Sequence, residues 1–373
     1  MHGLMMDRPL LIRDIAERAE RLFGDREIVS RMHEGIERST YGDAVRRARR
    51  LASSLQRLGV GPGDRVATFG WNSRRHLELY LAVPSMGAVL HTLNIRLFED
   101  DLRFIVDHAG DKVICLDASL AQVMPRFDSV RHEVLMPDAD GERDGALEYE
   151  QLVADGDEGF DFPDLDERTA AAMCYTSGTT GRPKGVLYSH RSSVLHALGV
   201  NQADGLGLRE VDSVMPVVPM FHVNAWGLPY AAANTGARQV LPGPRMTPGD
   251  LGELIAAEGV TVTAGVPTIW QGMLRLDPAP DLSSLREVIC GGSAVPETLI
   301  REFDEHFGVP IVQAWGMTET SPLGSVGRMP AAAPEDEDAC YALRATQGRV
   351  VPLVDFRIDE ESGGELQVRG PWV

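Results

Sequence analysis

The sequence is poor in cysteine and in positive charge and has no long apolar run, and each shortage removes a class of function. Its four cysteines, Cys115, Cys174, Cys290 and Cys340, are scattered without a CxxC pair. They encode neither a zinc site nor a disulfide framework and are expected as buried thiols of a cytosolic protein. Lysine and arginine number 36 against 55 acidic residues, a formal net charge of −19 with a pI near 4.9. Nucleic acid and anionic membrane surfaces, which need broad basic patches, are therefore excluded as main partners. No run of eighteen apolar residues offers a bilayer span, and residues 1–8 lack the apolar core of a signal peptide. A soluble, cytoplasmic protein without a transmembrane segment is expected.

What is present is enough apolar matter, 43% of 373 residues, for a large core in two or more subdomains. Leu11, Ile12, Ile15, Ala16, Ala19, Leu22 and Phe23 recur at helical spacing up to Gly24. Thr40 and Asp43 resemble a capping pair for a second helix that stops at Gly59. Strand-like 65–69, helical 76–83, strand-like 88–93, helical 99–109 and strand-like 112–116 continue the alternation, which implies a mostly parallel sheet covered by helices. Gly59, Gly61 and Gly63 follow a helix and precede a strand, the reverse of a dinucleotide fingerprint, and read as a turn. Residues 137–168 carry thirteen acids against two bases and read as a solvated surface connection. A second exposed loop is expected over 329–345. These breaks divide the chain into 1–168, 169–345 and 346–373.

The most informative stretch is Thr176-Ser177-Gly178-Thr179-Thr180-Gly181-Arg182-Pro183-Lys184-Gly185, between two strand-like runs. Its glycines let backbone N–H groups turn toward an anion, its hydroxyls add donors or metal contacts, and Lys184 supplies a point charge. The spacing is not that of a Walker A loop, because a strand rather than a helix follows the lysine. It predicts a polyphosphate loop of a different kind.

Five further blocks follow in order: 219–227 around His222 and Trp226; Gly265-Val266-Pro267; Gly291-Gly292-Ser293; Gln313-Ala314-Trp315-Gly316-Met317-Thr318-Glu319; and Gly364 to Pro371. With the loop at Thr176 they resemble the successive core motifs of the adenylate-forming superfamily of acyl- and aryl-CoA synthetases, adenylation domains and luciferases. The blocks at 218–226, 22–25 and 29–31 look most like bacterial medium- to long-chain fatty acyl-CoA synthetases.

The resemblance implies an α/β fold, the large N-terminal domain of these enzymes, with two helix-covered β-sheet subdomains and a small distorted β-barrel. It implies activation of a carboxylic acid by ATP, Mg²⁺ and CoA, first to an acyl-adenylate and then to a thioester. Thr176, Ser177, Gly178, Thr179, Thr180 and Gly181 would cradle phosphates with Lys184. Glu319 and Thr176 would hold Mg²⁺, and Thr318 would donate to the α-phosphate. Gly291, Gly292, Ser293, Gln313, Ala314, Trp315 and Gly316 would form the adenine site, with Gln313 supplying an amide. His222 would lie beside the carboxylate, Trp226 at the mouth of the acyl tunnel, and Gly265, Val266 and Pro267 in its wall. Asn224 and Ala225 offer no acidic group for an amino-acid substrate, which favours a neutral, apolar tail. A synthetase for a short, sulfur-containing or aromatic acid, an adenylation domain, or a non-catalytic acyl- or nucleotide-binding remnant are the alternatives, and a homodimer is allowed by the resemblance alone.

The superfamily continues past the position of Val373 into a ribose-binding aspartate, a hinge and a C-terminal domain with a catalytic lysine. The apolar ending Pro371-Trp372-Val373 looks cut rather than finished. The chain alone is accordingly expected to bind ATP and acyl chains weakly and to turn over poorly.

Overall fold

A computed structural model describes residues 1, 3–176 and 181–373. Among them the strands form two large sheets and a hairpin. The smaller sheet has seven strands in the order Leu147–Glu148, His132–Met136, Asp111–Asp117, Arg65–Phe69, Val89–Thr92, Ala170–Thr176, Lys184–Ser189. The larger has nine, in the order Arg349–Val350, Leu323–Val326, Ile311–Gly316, Glu287–Gly291, Val262–Gly265, Ser213–Pro216, Arg238–Leu241, Glu27–Arg31, Ile36–Thr40. Most neighbours are parallel, as the alternation implied; the antiparallel pairs lie toward the sheet edges. The third part of the chain contributes the short strand Arg349–Val350 and the antiparallel pair Asp355–Asp359 and Glu365–Arg369.

The central core lies between the sheets. Ile28, Val214 and Leu241 of the larger sheet and Val66, Leu90 and Val113 of the smaller share it with the helices Ile12–Phe23, Tyr41–Arg57, Arg74–Ser85, His190–Val200 and Leu228–Thr235. Two outer cores close the far faces, one around Leu251, Trp270 and Phe303, the other around Leu102, Ile105 and Val106. The first helix ends at Phe23, and Thr40 Oγ1 caps the second by accepting from Asp43 N at 3.1 Å.

Three sequence expectations need correction. A boundary at 168 does not separate the sheets: Glu27–Arg31 pairs with Arg238–Leu241, and Ala170–Thr176 pairs with Val89–Thr92, so each sheet borrows strands across it. The acidic run 137–168 is not simply solvated. Its Glu150 bonds Arg47 at 2.7 Å and Arg75 at 2.8 Å, its Glu158 bonds Arg50 at 2.7 Å, and Tyr149 opens a buried helical turn over Glu78. Most of its acids are exposed, but Glu150 and Glu158 complement arginines on two core helices. The segment 329–345 contains the helix Glu337–Arg344, capped by Asp336 and anchored by Tyr341, whose ring lies 4.1 Å from the Arg301 guanidinium and 5.0 Å from that of Arg344. Cys115, Cys174 and Cys290 are buried free thiols, as expected, and Cys340 is half-buried. Among the described residues no helix is long and apolar enough to cross a membrane.

Burial makes the core acid-sensitive. It pushes His76 and His190 down to about 4 and His196 down to about 3. The unfolded chain then binds protons that the folded one refuses, so stability present above pH 6.5 is lost as pH falls toward 4, by about 2 kcal/mol per histidine at pH 5. Asp117, raised by burial and by Asp138, works in the opposite sense, but three histidines outweigh one acid. Urea unfolding is expected to show lower stability at pH 5 than at pH 7.5; equal midpoints would refute this.

Candidate active site

The hydroxyl- and glycine-rich loop that begins at Thr176 joins two strands, as its sequence implied, and the smaller sheet carries it. The antiparallel register sets Thr176 opposite Lys184, which fixes the base of the loop. Gly181 sits at φ 140°, where a Cβ would be strained; Ser177, Gly178, Thr179 and Thr180 lie outside the described residues. Facing this hairpin, the larger sheet delivers the strand Ile311–Gly316 and the short turn Thr318–Thr320. The two are joined directly, since buried Tyr188 donates its hydroxyl to Thr318 O at 2.8 Å.

Between them opens a cavity of about 420 Å³. Its polar end is lined by Thr176, Lys184, His222, Thr318 and Glu319, and its apolar part by Val200, Leu206, Ile289 and Leu323, with Trp226 also in the wall. Neither Lys184 nor Glu319 has a salt-bridge partner among the described residues, although most arginines of this acidic chain are paired. Both charges are exposed at the cavity, free to meet a ligand. Desolvation within the cavity wall, with the nearby positive charge of Arg96, lowers the pKa of His222, whose ring is still open to a ligand, so its imidazole is neutral at neutral pH.

A second cleft of about 300 Å³ shares Gly292, Ala314, Trp315 and Gly316 with the first and adds Ser293, Ala294 and Gln347. It is a slot beside an indole, suited to a flat heterocycle. Trp315 is held edge-on to Phe356 at 5.2 Å. Two glycines allow the walls to approach: a Cβ at Gly291 would lie 2.4 Å from Ala314 O, and one at Gly316 would lie 1.9 Å from Pro322 O.

His222 and Trp226 flank an unusual backbone. Val223, Asn224, Ala225 and Trp226 have φ of 46°, 49°, 48° and 56°, followed by Gly227 at 73°. This is a left-handed turn made mostly of non-glycine residues, which costs about 1–2 kcal/mol for each. Surrounding structure must impose it. Gly227 is required, since a Cβ there would lie 2.5 Å from His196 Nδ1.

The structure thus brings together Thr176, Lys184, His222, Trp226, Gly292, Ser293, Ala314, Trp315, Gly316, Thr318 and Glu319, with Gly181 in the loop and Gly291 in the wall behind. Four sequence assignments fail on geometry. Gln313 cannot offer its amide to a ligand: it is 1% exposed, its Nε2 donates to Ala345 O and Thr346 O, and its Oε1 accepts from Val295 N. Gly265, Val266 and Pro267 do not line the cavity. Gly265 is pressed against Trp270 and Val217, Pro267 is buried at the start of a helix, and Val266 reaches only the neighbourhood of Gly292. Sequence reasoning missed Tyr188, Val200, Leu206, Ile289 and Leu323. The apolar four carry no motif, since any core residue would look the same.

The AMP-binding enzyme family matches residues 15–373. The chain is 44% identical to the medium-chain-fatty-acid–CoA ligase of Ectopseudomonas oleovorans, over 100% of its own length and 72% of that protein's. It is 46% identical to the 3-methylmercaptopropionyl-CoA ligase of Ruegeria pomeroyi, over 100% of its own length and 73% of that protein's. The fold superimposes on the inhibitor-bound crystal structure of the N-terminal domain of FACL13 from Mycobacterium tuberculosis with a TM-score of 0.83 at 25% identity, covering 97% of this chain and 89% of that one.

Proposed function

This chain belongs to the AMP-binding enzyme family, and from that premise we propose that it carries the ATP and acyl sites of a fatty acid–CoA ligase. The carboxylate oxygen of the acid attacks the α-phosphorus of ATP, the bond to the β-phosphate oxygen breaks, and acyl-AMP and pyrophosphate form. The thiol of CoA then attacks the acyl carbon and AMP leaves. A carboxylate is a poor electrophile, and the AMP ester makes the second step accessible. The observation that carries the reading is the single cavity in which Lys184, Thr176 and Glu319 meet the apolar wall of Val200, Leu206, Ile289 and Leu323, with His222 at the polar end. Such a cavity suits a ligand with an anionic head and a hydrocarbon tail.

Within it, Lys184 and the loop from Thr176 to Gly181 neutralise phosphate charge, and Thr318 donates to the α-phosphate. Trp315 stacks on adenine in the slot beside Gly291, Gly292 and Ser293. Neutral His222 lies against the carboxylate end and Trp226 against the acyl chain. Mg²⁺ fits the donor set: Glu319 and Thr176 are hard oxygen ligands on the same cavity, and no cluster of three or more potential protein ligands exists among the described residues. These two residues would hold the ion together with phosphate oxygens and water, and the ion would screen the phosphate charge.

Pyrophosphate release in the presence of ATP, Mg²⁺ and a panel of acids tests this. Release is expected with fatty acids and not with amino acids, and Lys184→Ala is expected to weaken ATP binding about tenfold, the worth of one hydrogen bond to a charged group. Release that ignores the acid supplied would contradict the proposal. The similarity to a 3-methylmercaptopropionyl-CoA ligase supports a second reading, a short sulfur-containing acid; preference for that acid over decanoic acid in the same panel would select it.

A further inference from the structure

The backbone leading into the left-handed turn is held from the other sheet. Asn72, 3% exposed, follows the strand Arg65–Phe69 of the smaller sheet. Its Nδ2 donates to Pro216 O at 2.8 Å and Val218 O at 3.0 Å, and its Oδ1 accepts from Met220 N at 2.7 Å. Both amide hydrogens and the amide oxygen are spent on one stretch of the larger sheet's chain, and Gly243 N closes onto the Asn72 carbonyl at 3.0 Å. Tyr80, buried on the next helix, donates its hydroxyl to Met220 O and lies 3.5 Å from Asn224 Oδ1. Thr92 Oγ1 donates to Phe221 O at 3.3 Å. Backbone groups at 216, 218, 220 and 221 are thus fixed immediately before His222.

From this we infer that Asn72 and Tyr80 are positioning residues for the acid half of the cavity. The turn 223–226 has no glycine until Gly227, so its own residues resist the left-handed conformation. The clamp supplies the restraint, and the aim of His222 and Trp226 into the cavity depends on it. The nucleotide slot touches the turn only where the Trp226 indole approaches Gly291 and Gly292, and its Ser293, Trp315 and Thr318 stand on other strands and loops of the larger sheet. Loss of the clamp should therefore damage recognition of the acyl group and spare recognition of ATP. A bolt that merely joins two sheets would damage both alike. The inference rests on the proposed division of the cavity into acyl and nucleotide ends.

The test compares the affinity of this chain for ATP and for decanoyl-sulfamoyl-adenosine, a stable mimic of the acyl-adenylate, by calorimetry. Asn72→Ala is expected to weaken the mimic at least about tenfold and ATP less than about twofold; Tyr80→Phe, which removes one hydroxyl, should weaken the mimic about threefold. Adding Ala225→Gly to Asn72→Ala should recover about threefold or more, because glycine takes positive φ without the Cβ penalty. Should Asn72→Ala unfold, Tyr80→Phe carries the same comparison. Parallel weakening of both ligands, or unchanged affinity for the mimic, overturns the inference while wild-type binding leaves the functional reading standing. Wild-type chain that binds neither ligand overturns that reading and the inference with it.

Discussion

Glu319→Ala is expected to reduce acyl-adenylate formation by about 10²–10³-fold, the usual cost of removing a group aimed at charge that develops in the reaction. Glu319 is the only carboxylate lining the cavity among the described residues, and, like Lys184, it lines it without an ion-pair partner there. Its removal leaves Thr176 as the remaining protein ligand named for Mg²⁺, so the dependence of ATP binding on Mg²⁺ should flatten as well. Single-turnover formation of labelled acyl-AMP from labelled ATP resolves rates slow enough for this purpose. The Glu319 side chain is exposed between buried Thr318 and Thr320, so its truncation should leave folding unaffected. A loss below about tenfold, with Mg²⁺ dependence intact, would show that the ion is held elsewhere.

Glu78→Ala should have the largest effect on stability. Glu78 is 0% exposed and accepts from Arg47 Nε at 2.8 Å, Arg74 Nη1 at 2.5 Å and the Tyr149 hydroxyl at 2.8 Å. Burial works against the charge of Arg47, yet Glu78 and Glu150 hold it above its ordinary pKa. Removing the carboxylate takes one acidic partner from each of two largely buried guanidiniums, Arg47 keeping Glu150 and Arg74 keeping Glu37, so the loss should fall at about 3 kcal/mol, the lower end of the cost of breaking a buried pair. Three helices, Tyr41–Arg57, Arg74–Ser85 and Tyr149–Asp155, lose their common anchor. Denaturant unfolding reads the loss directly, and a change below about 1 kcal/mol would place the pair among the weak surface bridges. Ligand binding by the fraction that remains folded should be unchanged, since Glu78 does not line the cavity.

Much of this was legible in the sequence, for identifiable reasons. Helices with a clear apolar stripe and a local cap, such as Ile12–Phe23 and the Thr40-capped Tyr41–Arg57, depend on near neighbours and are readable from them. Thr176, Lys184, His222 and the Trp315–Glu319 block, which the sequence singled out by residue type and spacing, line one cavity. What failed depends on distant partners. The order of strands, in which Glu27–Arg31 joins strands some two hundred residues away, leaves no local mark. The acidic run 137–168 looked solvated because the arginines that bind it lie in other helices. Gln313 sits within a site motif, yet its amide is spent on the backbone of Val295, Ala345 and Thr346, residues distant from it in sequence. Asn72 and Tyr80 look like ordinary polar and aromatic residues until the second sheet is placed against them.

The claim that one cavity holds nucleotide and acyl chain together is most directly tested by the affinity of this chain for decanoyl-sulfamoyl-adenosine against that for sulfamoyl-adenosine, which lacks the tail. A joined cavity adds the burial of the hydrocarbon to the binding of the nucleotide, so the acylated compound should bind at least about a hundredfold tighter, since each buried CH₂ contributes about 0.8 kcal/mol. Equal affinities would mean that the apolar wall of Val200, Leu206, Ile289 and Leu323 does not receive the acyl chain, and would contradict the proposed function.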